Sequence, residues 1–179
     1  KEATTGYIKI NWSAAEISKE MGTISVENKT DIPNYGSVYW QYFENLENIK
    51  SDSTKVLSIT KNVYKKIKTT SGNELVELSK ENLKPGDLVT IQLIIKTEND
   101  LEFVHLKDLR ASCFEPVDVI SEYKWKNGLG YYQSTKDIAT HFFFDTIKTG
   151  TYVLEYDVRI NNSGSFNDGI ATLQSMYAP

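Results

Sequence analysis

Gly150-Thr-Tyr-Val-Leu-Glu-Tyr-Asp-Val-Arg159 decides the fold of this chain. Tyr152, Leu154, Tyr156 and Val158, continued by Ile160, fall on one parity, and Glu155, Asp157 and Arg159 fall on the other. A β-strand sends successive side chains to opposite faces, so this segment is a strand with one buried side and one wet side. The same period runs through Val89, Ile91, Leu93 and Ile95, with Thr90, Gln92 and Lys96 opposite. Val38, Trp40 and Tyr42 alternate with Tyr39, Gln41 and Phe43, which predicts a strand buried on both faces. Further strands are predicted over 5–12, 23–28, 56–68, 74–78, 101–109, 130–134 and 138–144. In all of these, Lys61 to Lys68 reads as a strand whose lysines line the wet side, broken by Val63 and Ile67.

Turn signals separate the runs: Ser71-Gly72, Pro85-Gly86, Asn127-Gly128, Thr149-Gly150 and Ser163-Gly164. Asn127-Gly128 is the strongest of them, because a type I′ hairpin turn needs positive φ at both central residues. Short strands punctuated this often predict an all-β fold, an antiparallel β-sandwich. Helix signals are few. Ser13-Ala-Ala-Glu16 has the form of a capping box with room for two turns at most, and 44–49 has room for one more. The segment from Asn28 to Gly36 lacks a strand pattern and is the expected internal boundary. It leaves 1–34 as N-terminal strands, either the end of a preceding domain or extra strands of this one, and 35–179 as the main sandwich.

The chain has 179 residues, enough for one domain with a real core, and 12% of them are Phe, Trp or Tyr. A net charge of −4 excludes a nucleic-acid binder, which needs clustered Lys and Arg. No run of apolar residues is long enough to span a membrane. The chain begins at Lys1 with neither an initiator Met nor the apolar core of a signal peptide, so the natural protein is expected to be longer.

Candidate chemistry is thin. Among 24 Asp and Glu, Asp108, Glu115 and Asp118 lie close in sequence, and nothing fixes two of them across a cleft as glycoside hydrolysis requires. His105 and His141 sit in strand segments and read as satisfied strand histidines. Cys113 has no second cysteine to pair with and no ligand set around it, so it reads as a small buried thiol. His105 with Cys113 makes no convincing nucleophilic pair, for the glycines of a nucleophile elbow are missing. No phosphate loop, dinucleotide fingerprint or calcium loop is present. We therefore expect no enzyme, no metal and no cofactor.

The aromatics stand out instead. Tyr123, Trp125, Tyr131 and Tyr132 flank the Asn127-Gly128 turn, and turn tips are normally polar, so this much apolar area needs a cover. These four are the candidate docking residues. The same flat rings suit stacking on sugars, which keeps a free-standing carbohydrate- or ligand-binding sandwich as the alternative.

A resemblance adds to this reading. Leu83-Lys-Pro-Gly-Asp87 leading into Val89, then Val104 to Pro116 with its Arg110-Ala111 and Glu115-Pro116 pairs, then Gly150-Thr-Tyr152, Tyr156, Arg159, Gly164, Phe166 and Met176-Tyr-Ala-Pro179 form an ordered set. Together with Tyr35-Gly-Ser-Val-Tyr-Trp-Gln-Tyr-Phe43, that set resembles the last macroglobulin-like domain of bacterial, Bacteroidetes-type, alpha-2-macroglobulin family proteins. The resemblance implies a macroglobulin or immunoglobulin-like β-sandwich with no catalytic role. Its partners would be neighbouring domains of the same parent chain, and a target protease only indirectly, through the parent. It also implies an endopeptidase inhibitor of the cell envelope, periplasmic or outer-membrane-anchored. Members trap proteases after a bait segment is cut, and many carry a thioester in a Cys-x-Glu-Gln motif that the last domain helps to shield. Cys113 is followed by Phe-Glu-Pro, so it is not that thioester cysteine.

Overall fold

The computed structural model describes residues 6–54, 56–78 and 82–177. The chain divides into two compact units, Lys1–Tyr42 and Phe43–Pro179. Described residues of the first unit form no strand, only two short 3-10 turns, Ala14–Glu16 and Lys19–Gly22. The Glu16 carboxylate does reach back to Ser13, accepting from its backbone N–H at 2.8 Å and its hydroxyl at 2.7 Å, as the capping-box pattern predicts. A third such turn, Leu46–Asn48, lies in the second unit.

Three expected strands are therefore not formed. The described part of 5–12, all of 23–28 and all of 38–43 lack strand pairing, and the segment expected to be buried on both faces leaves Tyr39 at 86% and Phe43 at 106% exposure. The physical reason is that alternation reports side chains only. A strand also needs a hydrogen-bonded neighbouring strand for its backbone, and among the described residues no strand pairs with these segments.

The second unit is all-β, an antiparallel β-sandwich with ten strands among the described residues. They are β1 Leu57–Thr69, β2 Gly72–Glu77, β3 Leu88–Thr97, β4 Leu101–Leu109, β5 Phe114–Pro116, β6 Glu122–Lys126, β7 Leu129–Thr135, β8 Ala139–Ile147, β9 Gly150–Ile160 and β10 Ala171–Ser175. One sheet runs β2-β1-β3-β9-β5 and the other β10-β4-β8-β7-β6, with every pairing antiparallel.

The decisive strand of the sequence lies at the heart of the first sheet. Leu154, Tyr156, Val158 and Ile160 are buried, with Tyr152 packed at their margin. The first three register against Leu93, Ile91 and Val89 of β3, which are fully buried, and Ile160 registers against Phe114 of β5. Across the sandwich, Val104, Leu106, Tyr131, Phe142 and Phe144 supply the opposing layer. Fully burying a side chain of this kind contributes about 1.5–3 kcal/mol. Cys113 is buried in the same core, and that burial pushes its thiol above the ordinary value.

Lys61 departs from the expected wet face. It shares the parity of Ile59 and Val63, which pack on the core, and its ammonium reaches across to the other sheet. There it meets Asp108 Oδ1 at 2.7 Å and donates to the backbone carbonyls of Leu109 at 2.8 Å and Asp168 at 2.6 Å. Tyr156, from the first sheet, donates its hydroxyl to Asp108 Oδ2 at 2.5 Å. Burial pushes the Asp108 carboxyl above its ordinary value, and Lys61 and Tyr156 pull it back. The inward lysine exists because a buried carboxylate needs a partner, a demand invisible to the local pattern of β1.

Candidate functional site

The aromatic hairpin is built as its turn predicts. Asn127 and Gly128 have φ of 54° and 75°, so the two-residue loop closes β6 onto β7 with Lys126 opposite Leu129. That register places Trp125 opposite Gly130 and Tyr123 opposite Tyr132. Leu129 points into the core, so Tyr131 and Gln133 point inward too, and Tyr132 points outward.

Three of the four candidate residues therefore share the outer face. Trp125 is 73% exposed, Tyr123 59% and Tyr132 43%. Tyr131 is a correction: it is 3% exposed and packs edge-on against Phe142 at 5.7 Å between ring centroids, so it belongs to the core. Gly130 leaves room for two of the outer three. A Cβ at that position would lie 2.2 Å from the Tyr123 hydroxyl and 2.7 Å from the Trp125 ring, so both side chains lie on the bare glycine backbone. At the margin, Lys124 bridges the carboxylates of Asp118 and Glu122, the latter at 3.3 Å. Burial works against the charge of Lys124, but the two carboxylates outweigh it and raise its pKa.

The outer row does not stop at the hairpin. Tyr132 registers with Phe143 of β8, Phe143 with His105 of β4, and His105 with Gln174 of β10. The ring of His105 lies parallel to that of Phe143, 3° apart with centroids at 4.6 Å. His141, diagonal to His105, meets it in a direct hydrogen bond, Nε2 to Nδ1 at 2.9 Å. Their planes differ by 5° and their centroids lie 5.2 Å apart, so the two imidazoles lie side by side rather than one above the other. Burial, with Lys107 close by, lowers the pKa of His105. Burial lowers that of His141 too, helped by His105, Lys107, Lys136 and Arg110. Sequence reasoning treated the two histidines as separate; only the β4–β8 register brings them together.

No catalytic constellation is assembled among the described residues. Asp108 is sealed in its ion pair, Glu115 is exposed on β5 of the other sheet, and Asp118 is held by Lys124. Cys113 lies in the core while His105 lies on the outer face, so they do not meet. No group of three or more His, Cys, Asp or Glu among the described residues could hold a metal ion. No helix among them is long and apolar enough to cross a membrane. A cleft of about 480 Å³ lies beside Arg110 and Lys136, where the two terminal nitrogens of the Arg110 guanidinium already donate to Thr140 and to the carbonyls of Lys136 and Asp137.

Fold and surface together define a class: an antiparallel β-sandwich module with an aromatic row on one outer face. The family model of the bacterial alpha-2-macroglobulin MG10 domain matches residues 57–179, and the chain belongs to that family. Among solved structures, Salmonella alpha-2-macroglobulin reacted with methylamine aligns with a TM-score of 0.55 at 17% identity, over 73% of this chain and 9% of that one. Escherichia coli alpha-2-macroglobulin activated by porcine elastase aligns at 0.56 and 17%, over 74% and 12%. The trypsin-activated Escherichia coli protein aligns at 0.54 and 16%, over 74% and 10%. At these identities the likeness establishes the fold. The chain spans about a tenth of the length of these relatives. A comparison with proteins of curated function finds no match.

Proposed function

We propose that this chain is a non-catalytic docking domain of a large bacterial alpha-2-macroglobulin-like protein that traps proteases in the cell envelope. Residues 35–179 form the C-terminal macroglobulin-like domain of that parent, and 1–34 belong either to it or to the domain before it. The match of the MG10 family model to residues 57–179 carries the reading. Its partners are neighbouring domains of the same polypeptide, and a protease meets it only through the parent. The elastase- and trypsin-activated relatives support a protease as the trigger.

The physical task is to hold a face against a neighbour and to release it when cleavage elsewhere shifts the balance between two arrangements of the parent. Tyr123, Trp125 and Tyr132 are the contact residues. They suit the task because aromatic side chains bury large areas at small entropic cost, and the hairpin presents them on a rigid scaffold. The test is association of this chain with the rest of the parent polypeptide, measured by calorimetry. Trp125→Ala should leave the strand content unchanged by circular dichroism and weaken that association about tenfold or more, as for a truncated hot spot. Unchanged association would remove the hairpin from the interface. Loss of glycan binding in its place would favour the carbohydrate-binding alternative.

A further inference from the structure

The two outer faces of the sandwich differ in kind. On the sheet containing β3 and β9, the outward residues satisfy one another. Asn62 donates to Gln92 at 3.3 Å, and Gln92 donates to Glu155 at 2.9 Å. Thr90 donates to Asp157 at 2.7 Å, and Lys66 pairs with the same carboxylate at 2.7 Å. Two registered rungs of this face, Asn62–Gln92–Glu155 and Tyr64–Thr90–Asp157, form a polar network, and the apolar side chains beside them, Ile94 and Val153, are half-buried against each other.

On the other sheet a single rung crosses all five strands as Tyr123–Tyr132–Phe143–His105–Gln174. Trp125 flanks it over Gly130, and His141 adds a second imidazole beside Phe143. Tyr123, Tyr132 and Phe143 remain 59%, 43% and 37% exposed although their register brings them side by side. The rings of Phe143 and His105 already cover each other's faces, which favours a broad protein surface over a flat sugar as the partner for this part of the rung.

We infer that the docking surface is the whole outer face of the β10-β4-β8-β7-β6 sheet, and that its occupant is a neighbouring domain of the same polypeptide. The inference rests on the docking reading above and deepens it, by assigning the face and extending it three strands past the hairpin. A domain of the same chain is the fitting occupant because the relatives carry this fold within chains about ten times as long. It also meets the face at high effective concentration, so the moderate area of one rung suffices.

The test is hydroxyl-radical footprinting of this chain with and without the rest of the parent polypeptide, read by mass spectrometry, alongside His105→Glu and Tyr64→Glu variants. The expected result is protection of Tyr132, Phe143 and His105 and unchanged labelling of Tyr64. His105→Glu, which would bury a carboxylate in the contact, should weaken association about tenfold or more, and Tyr64→Glu should stay within about twofold. The wild-type footprint decides the matter should His105→Glu fail to fold. Association that protects Tyr64, or only Trp125 and Tyr123, would overturn the inference while leaving the docking reading in place. Protection that appears on self-association of the chain, or only with a glycan, would overturn the occupant. No association of the wild-type chain in any arm would remove the docking reading and the inference with it.

Discussion

Replacing Asp108 by Ala should destabilise the sandwich by about 3–5 kcal/mol, the usual cost of breaking a buried ion pair by removing one partner. The figure follows from the surroundings. The Asp108 side chain has no solvent exposure and that of Lys61 only 9%. Without the carboxylate, the ammonium keeps the carbonyls of Leu109 and Asp168, but it loses the one negative charge that offset its desolvation. The Tyr156 hydroxyl loses its acceptor in the same step. Tyr156→Phe alone should cost about 1.5–3 kcal/mol, the range for a hydrogen bond to a charged group. Lys61→Met with Asp108→Leu removes both charges together and should recover most of the loss, because a pair replaced by apolar residues of similar volume is close to neutral. Urea unfolding followed by tryptophan fluorescence measures these variants together with Lys61→Met and Asp108→Leu alone, and the double-mutant cycle of wild type, the two singles and the double isolates the coupling. An Asp108→Ala cost below about 1 kcal/mol, or a double variant whose loss is the sum of the singles, would refute the idea that this pair ties the two sheets together.

Leu154→Ala should cost about 2–5 kcal/mol in the same assay, because Leu154 is buried between β3 and the facing sheet; a loss below about 0.5 kcal/mol would mean that the strand presents its other side. The intact mass of the chain should equal that of the plain sequence and stay unchanged in methylamine, since Cys113 is a core thiol whose sequence context lacks the thioester glutamine. A mass deficit equal to ammonia would contradict this. Both histidines should titrate below the ordinary value of 6.5 when followed by NMR. The sign for stability follows: the unfolded chain takes up these protons first as pH falls through 6.5, so the contribution of the pair is present above that pH and is lost as pH drops toward the lower folded values. Midpoints at or above 6.5 would mean that the pair is wetter than its geometry says.

Period-two alternation in β3 and β9 was enough to read both the strands and their buried sides, because both faces of each strand have a definite environment. The Asn127-Gly128 turn was legible for a similar reason, since its positive φ values narrow the residue choice to a few types. Tyr131 was misassigned although the information was present. Two adjacent tyrosines cannot both face outward in a strand, and Leu129 beside the turn decides which one turns in. The 38–43 segment failed in the opposite way, with a strand-like pattern of side chains and no partner for its backbone. Lys61 with Asp108, and His105 with His141, are contacts made by sheet register across long stretches of sequence. The sequence of either strand alone carries no sign of them.

The central claim is that this domain docks through its aromatic face onto another domain of the parent chain. Cross-linking of the intact parent tests it most directly. Lys107 stands on this face, opposite His141, and Lys126 stands at its rim, exposed at the turn that follows Trp125. Lysine-reactive cross-linking followed by mass spectrometry should join them to residues outside 1–179, while Lys66, held against Asp157 on the opposite face, should give few such links or none. Links from Lys66 to other domains, with Lys126 and Lys107 joined only within this chain, would contradict the account.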